Sequence, residues 1–144
     1  MKVTVKRVTP KKSKYQPDVL KQRIEMKVKN STERILNNIK FNSPEEDGDM
    51  RNSFKSSYSW NGNIFTGVIT SDCPYLKWHI IGTGKYNPSG RQDVPWIYYD
   101  EEHGRYRWTS GIAPNPFIEN AVKNEENELR RSIRKAVQDF LKDK

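Results

Sequence analysis

Apolar residues recur along this chain with two different periods. Between residues 18 and 39 they fall at Val19, Leu20, Ile24, Val28, Ile35, Leu36 and Ile39. Spacings of mostly three, four or seven line one face of an α-helix. Pro17 and Asp18 suit its start, because proline is tolerated in the first turn and a carboxylate is favoured at the positive end of the dipole. Met26 lies off the stripe. Lys29 to Thr32, "KNST", weakens the middle and leaves room for a break, with Ser31 or Thr32 capping a second segment. Pro44 stops the helix. A second stripe runs through Phe117, Ile118, Ala121, Val122, Leu129, Ile133, Val137, Phe140 and Leu141. Asn115 is placed to cap it and Pro116 to open it, and early Glu with later Arg and Lys suits the dipole and i, i+4 pairing.

Between these stripes the period falls to two. "FKSSYSW" and "NIFTGVIT" flank Asn61-Gly62, a pair suited to the positive φ angles of a tight turn, so residues 54–70 are expected to form a hairpin. "YLKWHII" from Tyr75 reads as a third strand. "PWIYYD" and "RYRWT" read as a second hairpin around residues 101–104. Val3, Val5 and Val8 suggest a short strand, followed by a proline-interrupted basic linker. Residues 82–95, "GTGKYNPSGRQDVP", have no period, and fourteen patternless residues are long for a connection, which marks them as a candidate functional loop.

These elements predict an α+β fold: an antiparallel sheet of about four or five strands packed by an N-terminal and a C-terminal helix. The 144 residues suit one such domain, here residues 17–144, preceded by a basic arm at 1–16. Charge sharpens that division. Residues 1–43 carry twelve Lys and Arg against three Asp and Glu, more than the whole net charge of +8. Lys11, Lys12 and Lys14 are therefore expected to meet an acidic neighbour or DNA. Hydrophobic content is only 33%, yet there are 16 Phe, Trp and Tyr; eleven of them lie between Tyr58 and Trp108, where an aromatic face could meet another subunit. The single cysteine, Cys73, reads as a small buried hydrophobe. The start lacks the apolar run of a signal peptide, and no segment approaches a membrane span, so a cytosol-like compartment is expected.

Candidate chemistry is thin. Gly82-Thr83-Gly84 lacks the Gly-Lys-Ser/Thr of a phosphate loop and the third glycine of a dinucleotide loop. His79 lies beside Trp78 and Ile80, with no Ser or Cys pattern to activate. "PEEDGD" at 44–49 has Phe54 where a calcium loop needs Glu. No cofactor, metal or catalytic residue is expected. Arg105, Arg107 and His103 are the residues of an alternative reading, a basic nucleic-acid-binding module or a small toxin-type ribonuclease.

Three stretches, in order, resemble one family pattern. "SPEEDGDMRNSF" is similar to P-x-x-T-G-x-L-R-x-S-hydrophobic, "PYLKWHIIGTG" to Y-A-x-x-V-E-F-G-T-G, and "TSGIAPNPFIENAV" to G-x-x-P-x-P-F-L-x-P-A-L. All three motifs are those of the gene-ten-product family of lambdoid siphophages, a phage neck and tail-completion family. Asp47 and Met50 depart from the usual Thr and Leu, and "HII" replaces "VEF". The resemblance implies structural roles for Gly48, Arg51, Ser53, Pro114, Pro116 and Phe117. It also implies a non-catalytic virion subunit of the head-tail junction, made in the host bacterial cytoplasm. Such a subunit forms a ring with copies of itself and meets other connector, head-closure or tail proteins, with DNA passing through the channel and no membrane contact. A ring needs a head-to-tail interface that closes, for which Gly82, Thr83, Gly84, Lys85, Tyr86 and Arg91 are the expected contacts.

Overall fold

The computed structural model of the protein describes residues 2–8, 17–44, 48–89, 92–101 and 103–142. Lys11, Lys12, Lys14 and Arg91 lie outside them. The fold is α+β, and the chain forms two compact units: Met1–Cys73 with Phe117–Lys144, and Pro74–Pro116.

The first unit holds strand β1 (Lys2–Val8), helix α1 (Pro17–Asn42), the short helix α2 (Gly48–Ser53), strands β2 (Lys55–Asn61) and β3 (Ile64–Thr70), and helix α4 (Phe117–Lys142). Its sheet is antiparallel in the order β1-β3-β2. The short strand expected at Val3, Val5 and Val8 forms within the segment read as an arm, residues 2–8 pairing with β3 along their whole length. Alternation does the sorting: Phe65, Gly67 and Ile69 of β3 point inward and are buried, while Lys55, Ser57 and Ser59 of β2 face water. Against the inward face lies α1, whose Leu20, Ile24, Val28, Ile35, Leu36 and Ile39 are all buried. Phe54 and Phe117 meet edge to face, ring centroids 6.4 Å apart.

Helix α1 runs unbroken through "KNST". Ser31 and Thr32 are fully buried there because they are contact residues, not caps. Ser31 Oγ donates to Glu125 Oε1 of α4 at 3.1 Å, and Arg34 Nε reaches the same oxygen at 2.6 Å. Thr32 Oγ1 donates back to the Val28 carbonyl at 2.8 Å, and its side chain lies so close to Gly67 that a Cβ there would stand 2.5 Å from Thr32 Oγ1. Small polar residues let α1 approach α4 on one side and β3 on the other. A further tie comes from Glu33, whose Oε1 accepts from the Tyr58 hydroxyl at 2.5 Å and from Ser56 Oγ at 2.7 Å. These bonds hold the Glu33 carboxyl below its ordinary pKa.

Two expectations move here. The first hairpin forms, but Asn61 pairs with Ile64, so its loop is Gly62-Asn63, one residue later than the Asn-Gly reading. Gly62, at φ +60°, supplies the positive angle. This register sets Trp60 opposite Phe65 with rings 5.0 Å apart and lays Tyr58 over Gly67. Arg51, Asn52 and Ser53, which the family-like motif reads as the opening of the first strand after a loop ending at Gly48, lie instead in a helical turn, Gly48–Ser53. Ser53 Oγ donates to the Met50 carbonyl at 2.6 Å and meets Ser71 Oγ at 2.6 Å.

The second unit holds helix α3 (Leu76–Ile81), a 3₁₀ turn (Gly84–Tyr86), and strands β4 (Trp96–Asp100) and β5 (Arg105–Thr109), which among the described residues pair only with each other. The expected single sheet is therefore two sheets, of three and two strands. "LKWHII" is a helix, not the third strand. Short apolar runs carry no decisive period, and here the Tyr75 and His79 rings, four residues apart, lie 6.3 Å from each other. Gly82, at φ +82°, ends the turn with its N–H on the Trp78 carbonyl.

Candidate interaction surface

The Gly82-Thr83-Gly84 loop is built by backbone crossing. Thr83 N–H donates to the Ile112 carbonyl at 2.9 Å and Lys85 N–H to the Ser110 carbonyl at 3.0 Å. Thr83 Oγ1 accepts from Ile112 N–H at 2.8 Å. The chains lie so close that a Cβ on Gly84 (φ +57°) would overlap the Ser110 carbonyl oxygen, and one on Gly111 (φ +121°) the Thr83 carbonyl oxygen. Gly82 is closed in by Ile112 and the Pro114 ring, with a Cβ reaching 2.9 Å from each. Amides committed in this way cannot cradle a phosphate. Of the residues expected to meet a partner, Gly82 and Gly84 are buried, Thr83 is half-buried, and only Lys85 and Tyr86 are exposed. Lys85 Nζ stands 5.1 Å from the Tyr86 ring centre.

The motif residues divide between the units. Phe117 is in the core, and Arg51 Nε reaches Ser43 Oγ at 3.4 Å. Gly48 opens α2, Pro114 walls in Gly82, and Pro116 is exposed just before α4, which starts at Phe117, one residue later than expected. His79 has a structural task, its carbonyl accepting Asn115 N–H at 2.8 Å. Cys73 is half-buried rather than buried.

A surface that no single motif marked stands on the β4–β5 hairpin. Its register pairs Ile97 with Trp108 and Tyr99 with Tyr106, so these four side chains share one face. All four are exposed, Tyr106 at 74% and Trp108 at 68%. Tyr99 and Tyr106 pack edge to face at 5.1 Å. On the opposite face Trp96, Asp100, Arg107 and Thr109 are half-buried, while Tyr98 and Arg105 are exposed. At the hairpin tip Asp100 Oδ2 meets His103 Nδ1 at 2.7 Å and Arg107 NH1 at 3.0 Å. Burial raises the Asp100 pKa, but the bonds from the His103 ring, the Arg107 guanidinium and the His103 backbone N–H outweigh it and bring the carboxyl down to about 2. The trio read as catalytic in the alternative is thus partly a brace: His103 and Arg107 hold the turn through Asp100. The signal for this face lay in the period-two placement of Ile97, Tyr99, Tyr106 and Trp108, but alternation alone does not say which face stays wet.

No family model, curated protein or solved structure matches the chain. Among the described residues no helix is long and apolar enough to cross a membrane, and no group of three or more His, Cys, Asp or Glu is arranged to hold a metal ion.

Proposed function

We propose that the chain is a non-catalytic structural subunit of a phage or prophage head-tail junction, a neck or tail-completion component that works as a ring. The observation that carries this reading is the exposed face of Ile97, Tyr99, Tyr106 and Trp108. Large contiguous apolar surface on a hairpin is costly in water and marks a protein-protein contact. The three family-like stretches support it in a second way, because their residues build the Phe54–Phe117 contact and the crossing at Gly82 and Gly84. Residues 74–116 carry five Lys and Arg against four Asp and Glu. A stacking platform for nucleic acid would need cations around it, so near-neutrality favours protein as the partner. Its place is the virion, with assembly in the host bacterial cytoplasm and other connector, head-closure or tail proteins as neighbours. Lys11, Lys12 and Lys14 are the groups proposed to face DNA or an acidic neighbour.

Deletion of the gene from the genome that carries it tests the role. DNA-filled heads and separate tails are expected in electron micrographs of the lysate, and intact tailed particles would overturn the reading. Light scattering with and without an oligonucleotide separates the classes. Nucleic-acid binding that weakens steeply with salt would move the assignment to a nucleic-acid module.

A further inference from the structure

We propose that the β4–β5 hairpin of one copy lies along the open edge of β1 in a second copy, over the apolar stripe of α4, and completes a five-stranded sheet. This deepens the ring reading by naming both halves of its interface.

The receiving half is a cleft of about 670 Å³ between β1, Ile35 and α4. β1 is an edge strand, bonded to β3 on one side with no strand on the other among the described residues. Its outer backbone groups are a template for another strand. Beside that edge Val122, Leu129, Ile133 and Val137 line the cleft from α4, and all but Ile133 remain part-exposed. The sheet covers α1; two more strands on the β1 side would cover α4.

The inserting half fits in length, character and charge. Five residues of strand span about 17 Å, and the stretch of α4 from Val122 to Gln138 that lines the cleft spans about 24 Å. The exposed face of Ile97, Tyr99, Tyr106 and Trp108 supplies the apolar side chains that the α4 stripe lacks. Glu126 of the cleft is paired with Arg130 at 2.7 Å, and Glu125 with Arg34 at 2.6 Å. Lys6 and Arg134 have no ion-pair partner among the described residues, which leaves the rim cationic. The hairpin itself, residues 96–109, carries three Asp and Glu and two Arg; Asp100 is already paired with Arg107 at 3.0 Å, and Glu101 is exposed at the tip. A carboxylate at the hairpin tip meeting a cationic rim pairs two different surfaces of the same chain. Such a contact is head to tail and propagates until it closes.

The test uses the full chain, by light scattering after gel filtration. Wild type is expected as a closed oligomer. Leu129→Arg blocks the cleft and Trp108→Ser removes the largest side chain of the hairpin's exposed face, so each alone is expected at the monomer mass of 16.9 kDa. Mixed in equal amounts they should give twice that mass and no more, because the first retains a working hairpin and the second a working cleft. Should Leu129→Arg lose its helical circular dichroism, Arg134→Glu replaces it, with Glu101→Lys as the complementary variant whose addition restores mass. A wild type monomeric at every concentration, or a mixture that stays monomeric, would overturn the interface. Assembly lost with Leu129→Arg but kept with Trp108→Ser would assign the cleft to another occupant and likewise overturn it. If the masses fail while gene deletion still yields separate heads and tails, this interface falls and the head-tail role stands; the reverse result spares the interface and removes the role.

Discussion

The two units use aromatic residues in opposite ways. In the first, Phe54, Phe65, Phe117 and Phe140 are buried and Tyr58 and Trp60 pack on Phe65, with Phe41 of α1 the exposed exception among the described residues. In the second, Trp78, Tyr86, Tyr98, Tyr99, Tyr106 and Trp108 are exposed, and Leu76 is the one large apolar side chain among its described residues that is fully buried. One unit is held by a core; the other is held by backbone crossing, glycines and a polar brace, and presents its apolar surface outward. That difference teaches where stability and interaction separate in this chain. Substitutions in the core of the first unit should act on folding, and those on the hairpin face should act on assembly.

The largest contrast tests this directly. Phe54→Ala should cost about 3–5 kcal/mol of stability, as deletion of a buried ring does, whereas Trp108→Ser should change the stability of the monomer by no more than about 0.5 kcal/mol. Urea unfolding of dilute protein reads both. Equal losses would show that the hairpin face is packed in the monomer and would end the comparison. Next comes Gly84→Ala. A left-handed φ costs a residue with a Cβ about 1–2 kcal/mol, and overlap with the Ser110 carbonyl adds to it. Faster hydrogen exchange is expected at the amides of Thr83, Lys85 and Ile112, with Phe65 and Ile69 still protected; uniform loss of protection would mean that the two units open as one.

Tyr58→Phe acts in the first unit and should cost about 1 kcal/mol, the usual net worth of one hydrogen bond. Burial first, and then the bond to Glu33, push the Tyr58 hydroxyl up to about 12. A raised pKa means that the protonated form is favoured in the folded state. This contribution is therefore complete below the ordinary tyrosine value near 10 and is lost as pH rises from there toward 12. The wild type should lose stability over that interval relative to Tyr58→Phe, in paired unfolding curves.

How much of this was legible follows the same division. Both long helices could be read because their stripes, Val19 to Ile39 and Phe117 to Leu141, exceed three turns, and both hairpins because alternation flanked turn residues. Ser31 and Thr32 misled because small polar residues signal a cap in sequence, whereas here they admit close packing against Glu125 and Gly67. "LKWHII" misled because six residues fit either period. The division into two sheets was invisible because strand pairing across units is a matter of tertiary structure. Of the surface, "GTG" drew notice through its glycines, yet those glycines serve an internal crossing. An aromatic face toward another subunit was expected somewhere between Tyr58 and Trp108, but alternation did not say which of those aromatics would form core and which would form that face.

The smallest effect is the one that isolates the second unit's way of holding together. Asp100 is brought down to about 2 by His103 and Arg107, so its charged form is favoured in the folded hairpin. The brace should be complete above the ordinary aspartate range near pH 4 and should weaken as pH falls toward 2. The tip is open to water, which screens the pair, so the change should be local: the Tyr99 and Tyr106 ring resonances should drift toward random-coil positions in that interval. In Asp100→Asn the drift should be absent, because the neutral amide does not titrate. An identical acid drift in that variant would assign it to other carboxylates and would mean that Asp100 does not brace the hairpin. A drift confined to the wild type would show that the second unit keeps its shape through polar bonds at the tip, which is what leaves its aromatic face free for another chain.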